Sequence, residues 1–390
     1  MMRKLFVQEK FLKKIKEGKK TIEMRLNDPR RHSLKVGMIL KLENIDDNKD
    51  TQLIEITKIH KYKNFDELYK NEDPILLGYE SAEEANPDDM LYFYSAEKQV
   101  EWGVLAIHFN VVNFSFDLVD TFVFDMDGTS LNSKGEVSKE NSEAFAKLKS
   151  LNKNIIVATG RPHYTAFDWL PHIGTDLPII SGNGSMIYDH KNHKMLHFES
   201  IPKDEAKLIY RFLYELEYEF LVYTTVGILG NNTNKTDFFE RANYKNRIPE
   251  LYQEGYFMDE LDNYDVTKFL IITTSNSQKI LNSVFDFVSE CKDSYIVQSQ
   301  WNMVDIQSKK ASKGNGLKFL LKELNLDINR TISFGDADND ISNFDVTKFS
   351  VAMKEASSEV KNAAVLQAKS NDESWISDFI EKYSSINLKN

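Results

Sequence analysis

The 390-residue chain has a single cysteine, Cys291. This scarcity excludes an internal disulfide framework and a zinc site built from several cysteines. With 16 glycines and 8 prolines, the composition is unlike that of a collagen-like or low-complexity chain. The sequence contains no run of 18 apolar residues, and charged residues interrupt the apolar ones near the amino terminus. Neither a membrane span nor a signal peptide is predicted, and a cytoplasmic globular protein is favoured.

The net charge of -11 is unevenly distributed along the chain. Residues 1–41 carry 13 Lys and Arg against 4 Asp and Glu, a local excess of +9. Such a segment can bind anions, including the phosphates of nucleic acids. Alternatively it is the solvated basic face of a helix, because Lys13, Lys14 and Lys16 alternate with Leu12 and Ile15 at helical spacing.

The pattern of apolar residues changes near residue 114. Between about 36 and 112, strand-like runs surround one helical segment, which predicts a small mixed or barrel-like β domain. From Thr121 onward, strands alternate with amphipathic helices, the pattern of βαβ units on a parallel sheet. Between 185 and 305 this alternation loosens, which is typical of a second α/β unit inserted into the first. The predicted domains are 1–113, 118–184 together with 306–390, and the insert 185–305.

Two carboxylates, Asp125 and Asp127, directly follow the strand-like run 121–124. Open α/β sheets place their active sites at the carboxyl ends of such strands. With bound Mg²⁺, Asp125 could attack a phosphorus atom, while Asp127 donates a proton to the leaving oxygen and later takes one from water. Taken alone, the fragment is equally typical of an Asp-Gly turn.

Three further polar segments stand at the ends of predicted elements. Thr159 closes a strand before Gly160 and Arg161, and its hydroxyl suits a phosphoryl oxygen, although such a residue is usually a helix cap. Lys313 opens a helix, so its ammonium could lie between a phosphoryl group and the carboxylates or remain in solvent. Residues 336–340 supply three acids and an amide, oxygen ligands that suit Mg²⁺ better than zinc.

In this order, DMDGTSL, ATGR, SKGNGL and GDADND resemble the four motifs of the haloacid dehalogenase (HAD) phosphotransferases, and SGNGSMIY resembles a segment of their Cof-type branch. The resemblance covers about residues 118–390 and implies a Rossmann-like core with an inserted cap that closes over the substrate. For catalysis, the resemblance implies Asp125 as nucleophile, Asp127 as general acid and base, and Thr159 and Lys313 as ligands of the phosphoryl oxygens. The Mg²⁺ ligands that it implies are Asp125, Asp127, Asp336, Asn339 and Asp340. The substrate-binding residues that it implies are Gly160, Arg161, Asn183 and Gly184.

A second resemblance covers about residues 2–112. The segments GKKTIEMRLND, KVGMILKL and YSAEKQVEWGVLAIHF resemble the ASCH domain, a relative of the PUA domains that bind RNA. This implies a small β-barrel whose cleft, lined by Lys20, Glu23 and Arg25, binds RNA or a nucleotide. Some ASCH relatives hydrolyse acylated cytidine with a Lys and a Thr, but Glu23 stands at the position of that Thr. Alternatively, Lys20 and Arg25 only pair with Glu23, in a solubility or oligomerisation module.

The predicted fold is therefore an α/β protein: a Rossmann-like HAD core with an inserted α/β cap, preceded by a small ASCH-like, PUA-like β-barrel domain. The predicted function is Mg²⁺-dependent hydrolysis of a small phosphorylated metabolite through an aspartyl-phosphate intermediate, with no membrane partner. Two alternatives stay open, namely an RNA-binding regulator whose HAD unit senses a metabolite, and a phosphomutase. The presence of Asp127 favours catalysis, because a sensor has no need of a proton donor.

Overall fold

The computed structural model describes residues 3–231, 233, 248–272, 277–300 and 303–384. Within these ranges the strands form four hydrogen-bonded sheets, and an isolated bridge joins two of them. None of the helices in the described part of the chain has the length and apolar composition that a bilayer crossing requires.

The amino-terminal domain is a curled mixed sheet in the order β1-β3-β4-β5-β2, in which β1 and β3 are parallel. Its elements are β1 (Lys4–Val7), α1 (Glu9–Lys16), β2 (Ile22–Leu26), β3 (Ile39–Asn44), β4 (Thr51–Tyr62), α2 (Phe65–Asn71), α3 (Pro74–Leu77), α4 (Ala96–Trp102) and β5 (Val104–Val112). A register shift between Ile56 and Lys58 bends β4. Because side chains alternate along β5, Leu105 and Val104 join separate apolar clusters on the two faces.

Most basic residues of the segment 1–41 are paired with acids. The pairs join Lys4 and Lys41 to Glu43, Lys14 to Glu80, Lys16 to Asp50, Lys19 to Glu17, Lys20 and Arg25 to Glu23, and Arg30 and Arg31 to Asp28. The exposed pairs among them, such as Lys19 with Glu17, contribute little to stability, and all of the pairs reduce the local positive potential. The excess of +9 in the sequence therefore gives a surface of mixed charge.

The first half of the core contains two parallel strands and a helical layer. Its elements are β6 (Thr121–Phe124), α5 (Lys139–Ser150), β7 (Asn154–Val157), α6 (Leu170–Ile173), β8 (Ile179–Ser181), β9 (Met186–Asp189) and β10 (Lys194–Phe198). A parallel bridge between Ala158 and Ile180 joins β8 to this sheet, and the hairpin β9–β10 extends it antiparallel. The α-helix between β7 and β8 is the single turn α6, which is capped by Gly174 with φ of +70°.

A second sheet with two helices is inserted after this hairpin. Its elements are α7 (Lys203–Glu215), β11 (Glu219–Thr224), β12 (Ile228–Asn231), β13 (Tyr252–Glu254), β14 (Val266–Ile272), α8 (Ser277–Ser289), β15 (Ser294–Gln300) and β16 (Met303–Ser308). The strand order is β13-β12-β11-β14-β16-β15. Because the hairpin β9–β10 pairs with β8 while β16 extends to Ser308, we propose residues 199–309 as the inserted unit, in place of 185–305.

The second half of the core completes a parallel sheet in the order β19-β18-β17-β6-β7. Its elements are α9 (Lys313–Glu323), β17 (Thr331–Gly335), α10 (Ile341–Val346), β18 (Phe349–Ala352), α11 (Ser358–Ala363), β19 (Leu366–Gln367) and α12 (Trp375–Tyr383). On one face of this sheet, the rings of Phe124 on β6 and Phe334 on β17 stack with centroids 4.7 Å apart. Trp375 Nε1 donates to the Thr129 carbonyl at 3.0 Å, so α12 fixes the loop after β6.

The amino-terminal domain is attached to the core at the end of α10. The guanidinium of Arg3 donates to the carbonyls of Phe344, Thr347 and Lys348. Lys348 in turn pairs with Glu55 on β4. These contacts satisfy carbonyl groups that a helix carboxyl terminus leaves without intrahelical partners.

Candidate active site

Asp125 lies at the carboxyl end of β6, buried beside the amino terminus of α9. Its backbone N–H donates to the Phe334 carbonyl at 3.1 Å, which fixes the residue between β6 and β17. Lys313 Nζ lies 2.6 Å from Asp125 Oδ1 and 2.7 Å from Asp340 Oδ1. Burial raises the pKa of Asp125 well above its usual range although Lys313 opposes this effect. For Lys313, Asp125 and Asp340 outweigh burial and raise the pKa.

Three carboxylates form a compact cluster around this lysine. Asp125, Asp336 and Asp340 each offer an oxygen within 4.8 Å of the other two. Thr129 Oγ1 donates to Asp336 Oδ1 at 2.8 Å, while burial, reinforced by Asp340, raises the pKa of Asp336 to about 7. A Cβ on Gly128 would lie 2.3 Å from Asp336 Oδ2, so this glycine permits the close approach. Concentrated carboxylate charge with oxygen donors fits a divalent cation.

Asp340 is already fully engaged by the protein. Its Oδ1 accepts from Lys313, and its Oδ2 accepts from the backbone N–H groups of Asp336 and Ala337 at 3.0 and 3.1 Å. The carboxylate therefore orients both the lysine and the loop that carries Asp336.

Asp127 lies at the mouth of the site rather than in the buried cluster. Arg161 Nε and Nη2 donate to its two carboxylate oxygens at 2.8 and 2.7 Å. The guanidinium also lies 4.4 Å from the centre of the Trp169 ring. The Asp127 side chain remains 48% exposed, so the pair borders solvent.

Thr159 lies two residues beyond the end of β7 and is completely buried. Its hydroxyl accepts from the Arg161 N–H at 3.1 Å, and its carbonyl accepts from the Asn183 N–H at 3.0 Å. Asn183 belongs to the turn that follows β8. In this turn, a Cβ on Gly184 would lie 2.0 Å from the Ser312 carbonyl oxygen. Gly184 thus lets the turn after β8 approach the residue that precedes Lys313.

Asn183 connects the core to the inserted sheet. Its Nδ2 donates to Asp305 Oδ2 at 3.0 Å and to Gln307 Oε1 at 3.2 Å, both on β16. Its Oδ1 accepts from Asn339 Nδ2 at 3.0 Å. A cavity of about 310 Å³ lies here, lined by residues that include Asn183, Lys313 and Tyr295.

Sequence reasoning missed Lys268, Asp305 and Gln307, which the inserted sheet brings to the site. Lys268 Nζ donates to the Gly160 carbonyl at 3.1 Å and to Asp305 Oδ2 at 3.2 Å. Apart from Thr267, the other residues of the strand Val266–Ile272 are apolar. A lysine in such a strand is a signal that could have identified Lys268, because lysine is rarely buried without a partner.

In the amino-terminal domain, Lys20, Glu23 and Arg25 line a cavity of about 790 Å³. Lys20 Nζ donates to the carbonyls of Ile22 and Leu77 at 2.6 and 2.7 Å and lies 3.4 Å from Glu23 Oε2. Arg25 Nη2 lies 3.0 Å from Glu23 Oε1. Lys20 and Arg25 therefore both pair with Glu23 and line the cleft, so features of both sequence-based alternatives are present.

Comparisons with known proteins agree with this organisation. A family model described as haloacid dehalogenase-like hydrolase matches residues 122–380, about two thirds of the chain, and the ASCH domain model matches residues 5–113. The chain is similar to phosphatase YwpJ of Bacillus subtilis, with 28% identity over 282 residues that cover 66% of this chain and 97% of the relative. It is also similar to the 5-amino-6-(5-phospho-D-ribitylamino)uracil phosphatase YwtE of the same organism, with 25% identity over 278 residues that cover 66% of this chain and 96% of the relative.

Solved structures give the same fold. A haloacid dehalogenase-like hydrolase from B. subtilis superimposes with a TM-score of 0.60 at 26% identity, covering 67% of this chain and 99% of that one. Both resemblances expected from the sequence are confirmed. The chain belongs to the haloacid dehalogenase-like hydrolases, as a phosphoric monoester hydrolase of the Cof-type branch with an ASCH domain ahead of its catalytic core.

Proposed function

We propose that the chain is a Mg²⁺-dependent phosphatase that hydrolyses a small phosphorylated metabolite through an aspartyl-phosphate on Asp125. The observation that carries this proposal is the buried cluster in which Lys313 lies 2.6 Å from Asp125 and the oxygens of Asp336 and Asp340 lie within 4.8 Å. The phosphatase relatives support it.

The metal assignment follows from which carboxylates are already engaged. Asp127 is held by Arg161, and Asp340 by Lys313 and two backbone amides, whereas Asn339 donates to Asn183 through Nδ2 and its buried Oδ1 has no hydrogen-bond partner among the described residues. We therefore assign Mg²⁺ mainly to Asp125 and Asp336, with Asp340, Asn339 and Asp127 around them. Bound Mg²⁺ would supply positive charge that offsets repulsion between Asp125 and an anionic phosphoryl group.

The chemistry uses the two carboxylates at the end of β6. An Asp125 oxygen attacks phosphorus, the bond from phosphorus to the ester oxygen breaks, and Asp127 gives its proton to the leaving alcohol. Asp127 then takes a proton from water, which attacks the aspartyl-phosphate and releases inorganic phosphate. Lys313 and Thr159 hold the phosphoryl oxygens. When Asp127 is protonated, it must give up a hydrogen bond from Arg161.

The cavity beside Lys313 has a size and a lining that favour a small polar substrate. The cavity of about 310 Å³ is bounded by Asn183 and Lys313 of the core and by Tyr295 and Gln307 of the inserted unit. We infer that the inserted unit is a cap that recognises the leaving group. Lys268 and Asp305 then hold the cap against Gly160 and Asn183.

The test is a phosphatase screen of the full chain against a metabolite panel in Mg²⁺ or in excess chelator. We expect release of inorganic phosphate only with Mg²⁺, and no turnover by Asp125→Asn. Asp286→Asn, a substitution of an exposed acid on α8 that lines neither cavity, is the matched control and should keep its activity. Undiminished turnover in chelator, or by Asp125→Asn, would overturn the proposal. Phosphoryl transfer to a second sugar without phosphate release would identify a mutase, and binding without turnover would identify a sensor.

For the amino-terminal cavity we propose a nucleobase-containing ligand, either a nucleotide or an unpaired RNA base. The lining contains four cations, Lys10, Lys14, Lys20 and Arg25, and five acids, Glu23, Glu80, Glu84, Asp88 and Asp89. Such balanced charge suits a planar base with few phosphates better than a polyphosphate. Tyr92 and Phe93 are exposed at the rim, where aromatic rings can stack on bases.

This ligand class can be tested by fluorescence titration of the full chain with nucleotides and short single-stranded RNA. We expect Lys20→Met and Arg25→Met to weaken binding, and Lys19→Met, outside the cavity, to bind as wild type. Equal binding by all three variants would show that the cavity is not the site.

A further inference from the structure

A second group of potential metal ligands lies in the amino-terminal domain, apart from the Asp125 cluster. His60 is on β4, His108 is on β5, and Glu72 follows the last residue of α2. In the antiparallel pairing of β4 and β5, His60 is opposite Ala106, so His108 is its diagonal neighbour on the same face. Burial of Phe65 and Leu68 packs α2 on this face and brings Glu72 between the two imidazoles.

The three side chains converge at short range. His60 Nδ1 lies 2.6 Å from Glu72 Oε1, and His108 Nε2 lies 3.1 Å from Glu72 Oε2. One ligand atom from each residue lies within 4.8 Å of the other two. The Tyr62 hydroxyl adds a further oxygen, 2.7 Å from Glu72 Oε1 and 3.2 Å from His60 Nδ1.

Hydrogen bonding alone leaves part of this arrangement unexplained. His108 Nε2 is shielded from solvent and makes no aligned hydrogen bond, although the carboxylate oxygen is close. An imidazole nitrogen and a carboxylate oxygen at this separation can both ligate one cation. Glu72 itself is buried, so its charge needs partners that are fixed in place.

We propose that His60, Glu72 and His108 bind a first-row transition metal ion, with Zn²⁺ the best match. Two imidazole nitrogens and one carboxylate oxygen form a known zinc donor set, whereas the oxygen-only Asp125 cluster suits Mg²⁺. With metal–ligand distances of about 2.0 to 2.1 Å, tetrahedral ligands lie roughly 3.3 Å apart. The separation of His108 Nε2 from Glu72 Oε2 is near this value. His60 Nδ1 lies against the other carboxylate oxygen, Oε1, and must move roughly 0.7 Å away from it to reach the same spacing.

The site is open to solvent and lies beside the cavity wall. The side chains of His60 and His108 are 32% and 22% exposed, so an ion can enter, and water or Tyr62 completes the coordination. His108 pairs with Ile22 on β2, and the Ile22 carbonyl accepts from Lys20. A bound ion would therefore hold α2, β4 and β5 together next to the residues that line the cavity.

The experiment is a Co²⁺ titration of the full chain in excess Mg²⁺, which keeps the oxygen-only cluster filled. Four-coordinate Co²⁺ absorbs visible light strongly, so we expect a band that saturates at one equivalent per chain and disappears when Zn²⁺ displaces Co²⁺. His60→Asn and His108→Asn should each lose the band, and Glu72→Gln should weaken Co²⁺ binding by at least tenfold. His197→Asn is the matched control, because His197 pairs with Glu199 away from this cluster.

Phosphatase activity in Mg²⁺ serves as the folding check, since none of these residues touches the Asp125 cluster. A wild-type chain that shows no band and no rise in melting temperature with Zn²⁺ would overturn the proposal. An unchanged band in both folded histidine variants would also overturn it, because the ion would then lie elsewhere.

Discussion

Arg161 holds both carboxylate oxygens of Asp127, through hydrogen bonds of 2.7 and 2.8 Å. A bidentate pair of this kind requires an ionised carboxylate, whereas donation to a leaving group requires a protonated one. In the proposed mechanism, each catalytic cycle would therefore require Asp127 to exchange its contact with Arg161 for a proton. This exchange would take place at the exposed mouth of the site.

Asp127→Asn should lower kcat by roughly 10²- to 10⁴-fold on an alkyl phosphate, because general acid and base assistance is lost. The loss should be smaller on p-nitrophenyl phosphate, whose leaving group departs without a proton. Steady-state rates on both substrates, with Asp286→Asn on α8 as control, measure the difference. An equal loss on both substrates would argue against proton donation by Asp127.

Lys313→Met should destabilise the fold by roughly 3 to 5 kcal/mol near pH 7, because it leaves Asp125 and Asp340 buried without their shared cation. Protonation at lower pH relieves the repulsion, so the deficit relative to wild type should shrink between pH 7 and pH 5. Urea unfolding at both pH values measures it. Lys318→Met, an exposed site on α9, should have little effect at either pH. A deficit independent of pH would contradict the electrostatic explanation.

Gly184→Ala should abolish activity and destabilise the fold, because the new Cβ would lie 2.0 Å from the Ser312 carbonyl and displace the start of α9. Gly174→Ala provides the control, since its φ of +70° is similarly left-handed but no atom lies within 4 Å of the added Cβ. We expect this control to cost only about 1 to 2 kcal/mol and to retain activity. Thermal unfolding and kcat together distinguish the two substitutions, and equal effects would refute the contact argument.

His163 should make the fold sensitive to acid. Burial lowers the pKa of His163 to about 4, against an ordinary value of 6.5. Between these values the unfolded chain binds a proton that the folded chain does not, so the free energy of unfolding should fall by up to roughly 3 kcal/mol as pH decreases from 6.5 to 4.

The substitution His163→Phe removes this titration and keeps an aromatic ring against Tyr188, whose ring centroid lies 4.0 Å from that of His163. Its unfolding free energy should therefore depend less on pH than that of wild type in this range. His32→Phe, at an exposed position, should leave the dependence unchanged. Chemical unfolding at several pH values decides between these outcomes.

The catalytic cluster was predictable because its residues stand at the ends of parallel strands. Asp125 follows β6 and Asp336 follows β17, and these strands are neighbours in one sheet, so local sequence placed both side chains at the same edge. Lys313 was predictable as a helix start facing that edge. The individual roles assigned to these residues stay predictions.

The contribution of the inserted sheet was not predictable in the same way. Asp305 and Gln307 reach Asn183 only because β16 pairs with β14 and β15, a long-range arrangement without any motif. His60, Glu72 and His108 could not be grouped from the sequence either, because they come from two strands and the end of a helix and share no local motif. The pairing of the hairpin β9–β10 with β8 likewise depends on sheet edges that sequence does not specify.

The attachment of Arg3 to the end of α10 has a practical consequence for ligand discovery. Ile39 and Leu53 of the amino-terminal sheet also lie in one apolar cluster with Phe122 and Phe334 of the core, so the two domains should melt together. A ligand that fills the amino-terminal cavity at 100 times its Kd adds about 2.7 kcal/mol to the free energy of unfolding. Protection of phosphatase activity against heat thus becomes an assay for a ligand bound in the other domain.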